Sequence, residues 1–329
     1  RPPKRARPDD YDDAPVVRSD KLWLDDGNLV IQAERTQFRV HRSVLSRHSV
    51  FFRDLKDIPQ PSHSDEATAR GCPVIELQDE AEAVEFMLDC IYDTGRALRK
   101  PSYKELLLAL RMGHKYLVPV LFDNAAKRMH KAFPTELTAW NADDVYNHFD
   151  LHDDADGNYF ELLSVARAVG LETVMPALCL HYLNDASVTY IAVCRDRQPI
   201  DANDVVMLLL GRHQLVFKQT RYTLRWALNE EYGVCETPKK CDRARSRVRD
   251  EAFVRLEANE AEVVLDQIHL FAPWTYDDIG LCRLCSKTAQ NLHTAGRKEL
   301  WEVLPSIFGL GSWVNLHDFR IQQDDRDDE

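Results

Sequence analysis

Gln37-Phe38-Arg39-Val40-His41-Arg42-Ser43-Val44-Leu45-Ser46-Arg47-His48-Ser49-Val50-Phe51-Phe52-Arg53-Asp54-Leu55 changes its apolar period within a few residues. Alternation through Phe38 and Val40 gives way to the helical spacing of Val44, Leu45, Phe51 and Phe52, which predicts a strand running directly into two short helices. Just upstream, Leu29, Ile31 and Ala33 alternate with Asn28, Val30 and Gln32, so a first strand precedes Phe38 and Glu34-Arg35-Thr36 supplies the hairpin turn. The two helices are expected to pack over that hairpin.

Working outward, Lys56 to Pro73 holds Pro59, Pro61, Gly71 and many Ser, Asp and Thr residues and reads as a long polar loop. Val74-Ile75-Glu76-Leu77 reads as a short strand. Asp79-Glu80 then lead into a helix whose Val84, Met87, Leu88 and Ile91 recur at i, i+3, i+4 and i+7, the spacing of a buried stripe. Gly95 is expected to stop that helix, and Pro101-Ser102 to open another, with Leu106, Leu107 and Leu110 on its buried face.

The order of elements resembles that of a BTB/POZ domain over residues 19–131, and so do particular residues. The resembling positions are Asp26-Gly27-Asn28, then Phe38, His41, Leu45, Ser49 and Phe52, then the run Phe86 to Gly95 including Tyr92, and finally His114-Lys115-Tyr116 with Leu121. Leu300-Trp301 and Leu304-Pro305, further on, are similar in style to multidomain BTB proteins of fungi. The resemblance implies an α+β domain, a small sheet flanked by helices, that binds protein partners. For His41 it implies a structural residue that caps or hydrogen-bonds near the first helix, not a catalytic one.

Family members that bind a cullin carry a hydrophobic-x-Glu motif in the loop before the late strand. Here that loop offers Ile58-Pro59-Gln60, and Val74-Ile75-Glu76, which fits the letters, falls in the strand itself. Family dimers use an additional amphipathic helix ahead of the first strand, where this chain is Pro-rich and charged, so homodimerisation stays open.

The 329 residues predict about two domains, and 44% hydrophobic residues are enough for buried cores. With 42 Lys and Arg against 54 Asp and Glu, the net charge of -12 argues against direct binding to nucleic acid or an anionic membrane. The longest apolar run, Val205 to Leu210, is far short of a membrane span. Eight Cys spread over this length indicate reduced thiols, and no signal segment opens the chain, so nucleus or cytoplasm is expected. Residues 1–18 read as a disordered leader whose Lys4-Arg5-Ala6-Arg7 could equally be an import signal or a solvated tail, and residues 323–329 as an acidic tail.

Residues 132–322 read as an all-α region, with helices over Tyr159–Val169, Val174–Tyr182, Val205–Gly211, Tyr222–Asn229, Phe253–Phe271 and Lys298–Phe308. The resemblance implies a BACK-like platform that presents a second partner. Within this region Cys235-x5-Cys241 and Cys282-x2-Cys285 form a metal-like constellation, because four thiols from two segments can close a tetrahedral zinc site. The first spacing is wider than usual, and burial of these residues as small hydrophobes is the favoured reading over zinc. His293 is a candidate replacement for one thiol.

The cations from Lys239 to Arg249 lack interleaved aromatics and read as a solvated linker or helix face. Asp154, Asp156 and Gly157 imitate a calcium loop without its first Asp and last Glu, so Asp156 reads as a helix cap. The sequence lacks a nucleophile elbow, a phosphate-binding loop and a His-Glu-x-x-His motif. The expected function is therefore a non-enzymatic adaptor without a cofactor, serving a cullin-based ubiquitin ligase or, alternatively, acting as a nuclear transcriptional cofactor. Zinc binding is the alternative from another class.

Overall fold

The computed structural model describes residues 15–55, 68–69, 71–141, 147–150, 160–185, 201–228, 234–257 and 279–322. They fall into two compact units, one of residues up to Lys127 together with those from Arg320, the other Arg128–Phe319.

In the first unit, β2 (Leu29–Ala33) and β3 (Thr36–Val40) form an antiparallel hairpin with Ile31 opposite Phe38. Its loop is Glu34-Arg35 alone, with Thr36 already in the strand and Glu34 in the left-handed region at φ 50°. Glu34 also accepts the Ala81 amide at 3.0 Å, which ties the turn to the start of a later helix. Val30, which the alternation set on the other face with Asn28 and Gln32, is fully buried, as are Leu29, Ile31 and Ala33, because β2 is an inner strand covered on both faces.

The sheet order is β1-β3-β2-β5-β4. Strand β1 (Val17–Trp23) runs parallel to β3 and takes in Val17 and Arg18, which the sequence placed in the leader. Strand β5 (Cys72–Leu77) runs parallel to β2, pairing Val30 with Val74. Where the sequence reads as loop up to Pro73, β4 (Thr68–Ala69) turns through Gly71 into β5. Gly71 has φ +79°, a conformation that costs other residues.

Among the described residues, five helices and the start of a sixth complete this unit, with α3 (Ala81–Tyr92) against β1 and β2. Helix α1 (Arg42–His48) and α2 (Val50–Asp54) follow β3 as expected. Helix α3 (Ala81–Tyr92) buries Val84, Met87, Leu88 and Ile91, the stripe read from the sequence. Gly95 does not end α3; Asp93 does, and the exposed Gly95 lies inside the short α4 (Thr94–Leu98). Helix α5 (Tyr103–Lys115) opens with a capping box in which Ser102 accepts the Glu105 amide and Glu105 accepts the Ser102 amide. Helix α6 (Pro119–Ala132) carries the chain into the second unit.

That second unit is helical. After α7 (Leu137–Trp140), α8 (Glu161–Ala168) is followed by a 3-10 turn at Glu172–Val174 and α9 (Met175–Asp185). Residues Met175 to Leu183 of α9 are all buried, as an apolar-all-round helix requires. Helix α10 (Ala202–Arg221) runs well past the expected Gly211, and its buried Asp204 takes hydrogen bonds from Ser164 and Arg167.

Then come α11 (Arg225–Leu228), α12 (Pro238–Glu257), α13 (Arg283–Glu302) and α14 (Leu304–Ile307). The expected helix at Phe253–Phe271 falls mostly outside the described residues, as do the calcium-like loop, Ile58-Pro59-Gln60 and most of the leader. None of the described helices is long and apolar enough to cross a membrane.

Candidate functional site

Two helix starts build one cluster. Before α12, the Thr237 carbonyl accepts the amides of Lys240 and Cys241, so the first turn begins there. Cys235 lies in the extended approach and Cys241 one turn into the helix. Five intervening residues therefore do not separate the two thiols, because part of that length is wound into helix. At α13, Cys282 is the N-cap in extended conformation, its carbonyl accepts the Ser286 amide at 2.8 Å, and Cys285 sits in the first turn. Each helix thus contributes one thiol ahead of its axis and one from inside it.

The four sulfur atoms all lie within 4.8 Å of one another. Cys235 Sγ is 4.0 Å from Cys282 Sγ, and no two are joined as a disulfide. The Cys282 amide donates to Cys241 Sγ at 3.1 Å, and Thr237 Oγ1 lies 3.3 Å from the same sulfur. Cys241 and Cys285 are fully buried, Cys235 and Cys282 half-buried. Behind them Trp226, Ala227, Val248 and Ala289 form an apolar wall, extended by Ile279, Leu281 and Leu292.

The electrostatics set the four thiols apart. A hydrogen bond from the Cys285 amide, helped by that of Glu236, brings Cys282 down to about 6 despite the opposing effect of burial. Burial pushes Cys285 and Cys235 up. Two helix N-termini place positive potential around this spot, and Lys240 lies beside the Gly280 turn. The other described cysteines stand alone: Cys72 donates weakly to the Gly27 carbonyl at 3.5 Å, burial pushes Cys90 up to about 11, and Cys179 is buried and raised by it. His293 is not part of the group; it is buried, with Nδ1 3.1 Å from the Thr223 carbonyl oxygen.

In the first unit the expected signature residues act as connectors. His41 occupies the N-cap position of α1, yet its side chain makes no capping bond. Instead its backbone N–H donates to Tyr92 Oη at 2.7 Å, its Nδ1 lies 3.0 Å from the same oxygen, and Nε2 reaches Asp26 at 3.2 Å. The bond from His41 holds the exposed Asp26 carboxyl below its usual range, while burial raises the Tyr92 phenol. Ser49 caps α2 by accepting the Phe52 amide, and Phe52 stacks on Tyr116 with ring centroids 5.7 Å apart. Phe38 and Leu45 are fully buried beneath them.

Residues 24–132 match the family model of the BTB/POZ domain. This part of the chain is a BTB/POZ domain. A search of the curated proteins returned no match to the chain. The BTB/POZ domain is a protein-interaction module, and it is followed here by a mainly helical region. Within it Val74 and Ile75 are half-buried in β5 and Glu76 is exposed, with all three paired along β2. The Asp26–His41–Tyr92 and Ser49–Tyr116 links join residues far apart in sequence, and no local pattern could have signalled them.

Proposed function

We propose that the chain is a non-enzymatic adaptor whose BTB/POZ domain binds one protein while the helical unit, serving as a BACK-like platform, presents a second. The observation that carries this reading is the BTB/POZ domain at residues 24–132 followed by a separately compact helical body. A cullin is the first partner to test, since it recruits BTB adaptors directly. Light scattering on the full chain, alone and with purified cullin N-terminal region, decides between outcomes. A stable complex at micromolar concentration supports the ubiquitin-ligase reading. Unchanged molar mass at tens of micromolar cullin rejects it.

A nuclear cofactor role is the second reading, favoured by Lys4-Arg5-Ala6-Arg7 in the sequence. A fluorescent full chain that stays cytoplasmic in cells, with or without Lys4, Arg5 and Arg7 replaced by Ala, counts against it.

A further inference from the structure

We propose that Cys235, Cys241, Cys282 and Cys285 together hold one structural zinc ion. In a tetrahedral thiolate site with Zn–S bonds of about 2.3 Å the sulfurs stand roughly 3.8 Å apart. Here all four lie within 4.8 Å and one pair is at 4.0 Å, so small side-chain rotations complete the tetrahedron. Packing alone does not account for this convergence. Cysteines buried singly as small hydrophobes, as Cys90 and Cys179 are, gain nothing by directing four sulfurs at one point.

The surroundings fit the charge such a centre carries. Four thiolates around a divalent ion leave a net charge of −2, and binding releases the protons of those thiols that were not already ionised. Two helix N-termini flank the sulfurs, the Cys282 amide already donates to Cys241 Sγ, and Lys240 lies beside the Gly280 turn.

Four protein ligands leave no open position for water or substrate, which makes the site structural and not catalytic. It also sits at the start of a helix with few large apolar side chains to anchor it. Along Pro238–Asp250 of α12 the buried side chains are Cys241, Ala244, Arg245 and Val248, a small apolar stripe for so charged a helix. The ion would tie the start of α12 to the start of α13 across the apolar cluster around Trp226.

The experiment is elemental analysis of the full chain purified without chelator or added metal, followed by replacement with cobalt. One zinc per chain is expected, released in full by a thiol-blocking mercurial. The cobalt form is expected to show intense thiolate-to-cobalt charge transfer and the absorption of a tetrahedral four-sulfur ion. Cys241→Ser combined with Cys285→Ser should lower zinc from one equivalent to under a tenth, while Cys72→Ser keeps it. Less than about a tenth of an equivalent in the wild-type chain overturns the proposal. So does stoichiometric iron in place of zinc, or zinc retained by the doubly substituted chain. Should that variant not fold, the wild-type cobalt spectrum still decides, since ligands other than four sulfurs would refute the assignment.

Discussion

Ser49 Oγ donates a 2.6 Å hydrogen bond to the carbonyl oxygen of Tyr116, joining the junction of α1 and α2 to the end of α5. Ser49 Oγ also accepts the Phe52 amide at 3.1 Å, so one buried hydroxyl both caps a helix and satisfies a distant carbonyl. Ser49→Ala leaves two buried backbone groups without a partner. It should cost about 2 to 3 kcal/mol, read as a lower urea midpoint for the BTB/POZ domain with an unchanged slope.

Gly296 faces the backbone of Tyr222 so closely that a Cβ there would stand 2.1 Å from the carbonyl oxygen. Backbone cannot swing aside as a side-chain end can, so Gly296→Ala must push α13 off its neighbour. A loss of about 2 kcal/mol or more is expected in thermal unfolding. Gly95→Ala is the contrast: its Cβ would meet only the Asp93 carboxylate at 3.1 Å, and helix propensity should leave stability unchanged or raise it by up to about 1 kcal/mol.

Asp318 gives the helical unit an acid limit. Burial alone would raise its carboxyl, but hydrogen bonds from His130 and from the Thr173 hydroxyl and amide outweigh it and hold the group below its ordinary 3.8. A depressed carboxylate stabilises the fold fully above the unfolded value and loses that contribution as pH falls through the folded one. Asp318→Ala should therefore unfold more easily than wild type near about pH 6, and the difference should close as pH falls through and below the ordinary carboxylate range. Chemical unfolding at several pH values checks this; a difference that is constant with pH contradicts it.

Removing the proposed zinc should loosen one place only. A ligand held at a hundred times its dissociation constant stabilises by about 2.7 kcal/mol, and that amount should vanish with a strong chelator. Hydrogen exchange is expected to quicken in the first turns of α12 and α13 while β2 and α3 keep their protection. Uniform loosening of both units would contradict the expectation.

The sequence revealed those parts of the fold where apolar residues recur with a clear period. Phe38 and Val40 marked β3, and Val84, Met87, Leu88 and Ile91 marked α3, because both elements bury large side chains on one face. Helix α13 begins fifteen residues before the expected Lys298 (298 − 283), since its early buried face is Cys285, Ala289, His293 and Gly296, small or polar residues that carry little hydrophobic signal. Helix α12 was left open between linker and helix face for the same reason, its stripe of Cys241, Ala244 and Val248 lying among cations. Strand β4 escaped notice because two residues are too few for any period. The four thiols could be named from sequence, but their meeting point could not, because it depends on where two helices begin.

Strand β2 finds its first neighbour at once and its second late. Val30 pairs with Phe38's strand through a two-residue turn, yet its other edge waits for Val74, 44 residues downstream (74 − 30). A ribosome adding roughly 5 to 20 residues per second needs about 2 to 9 s to deliver that partner. During synthesis the apolar rim formed by Leu29, Val30 and Ile31 is consequently open to other nascent chains, and this interval, more than the finished protein, is when a chaperone has most to offer it.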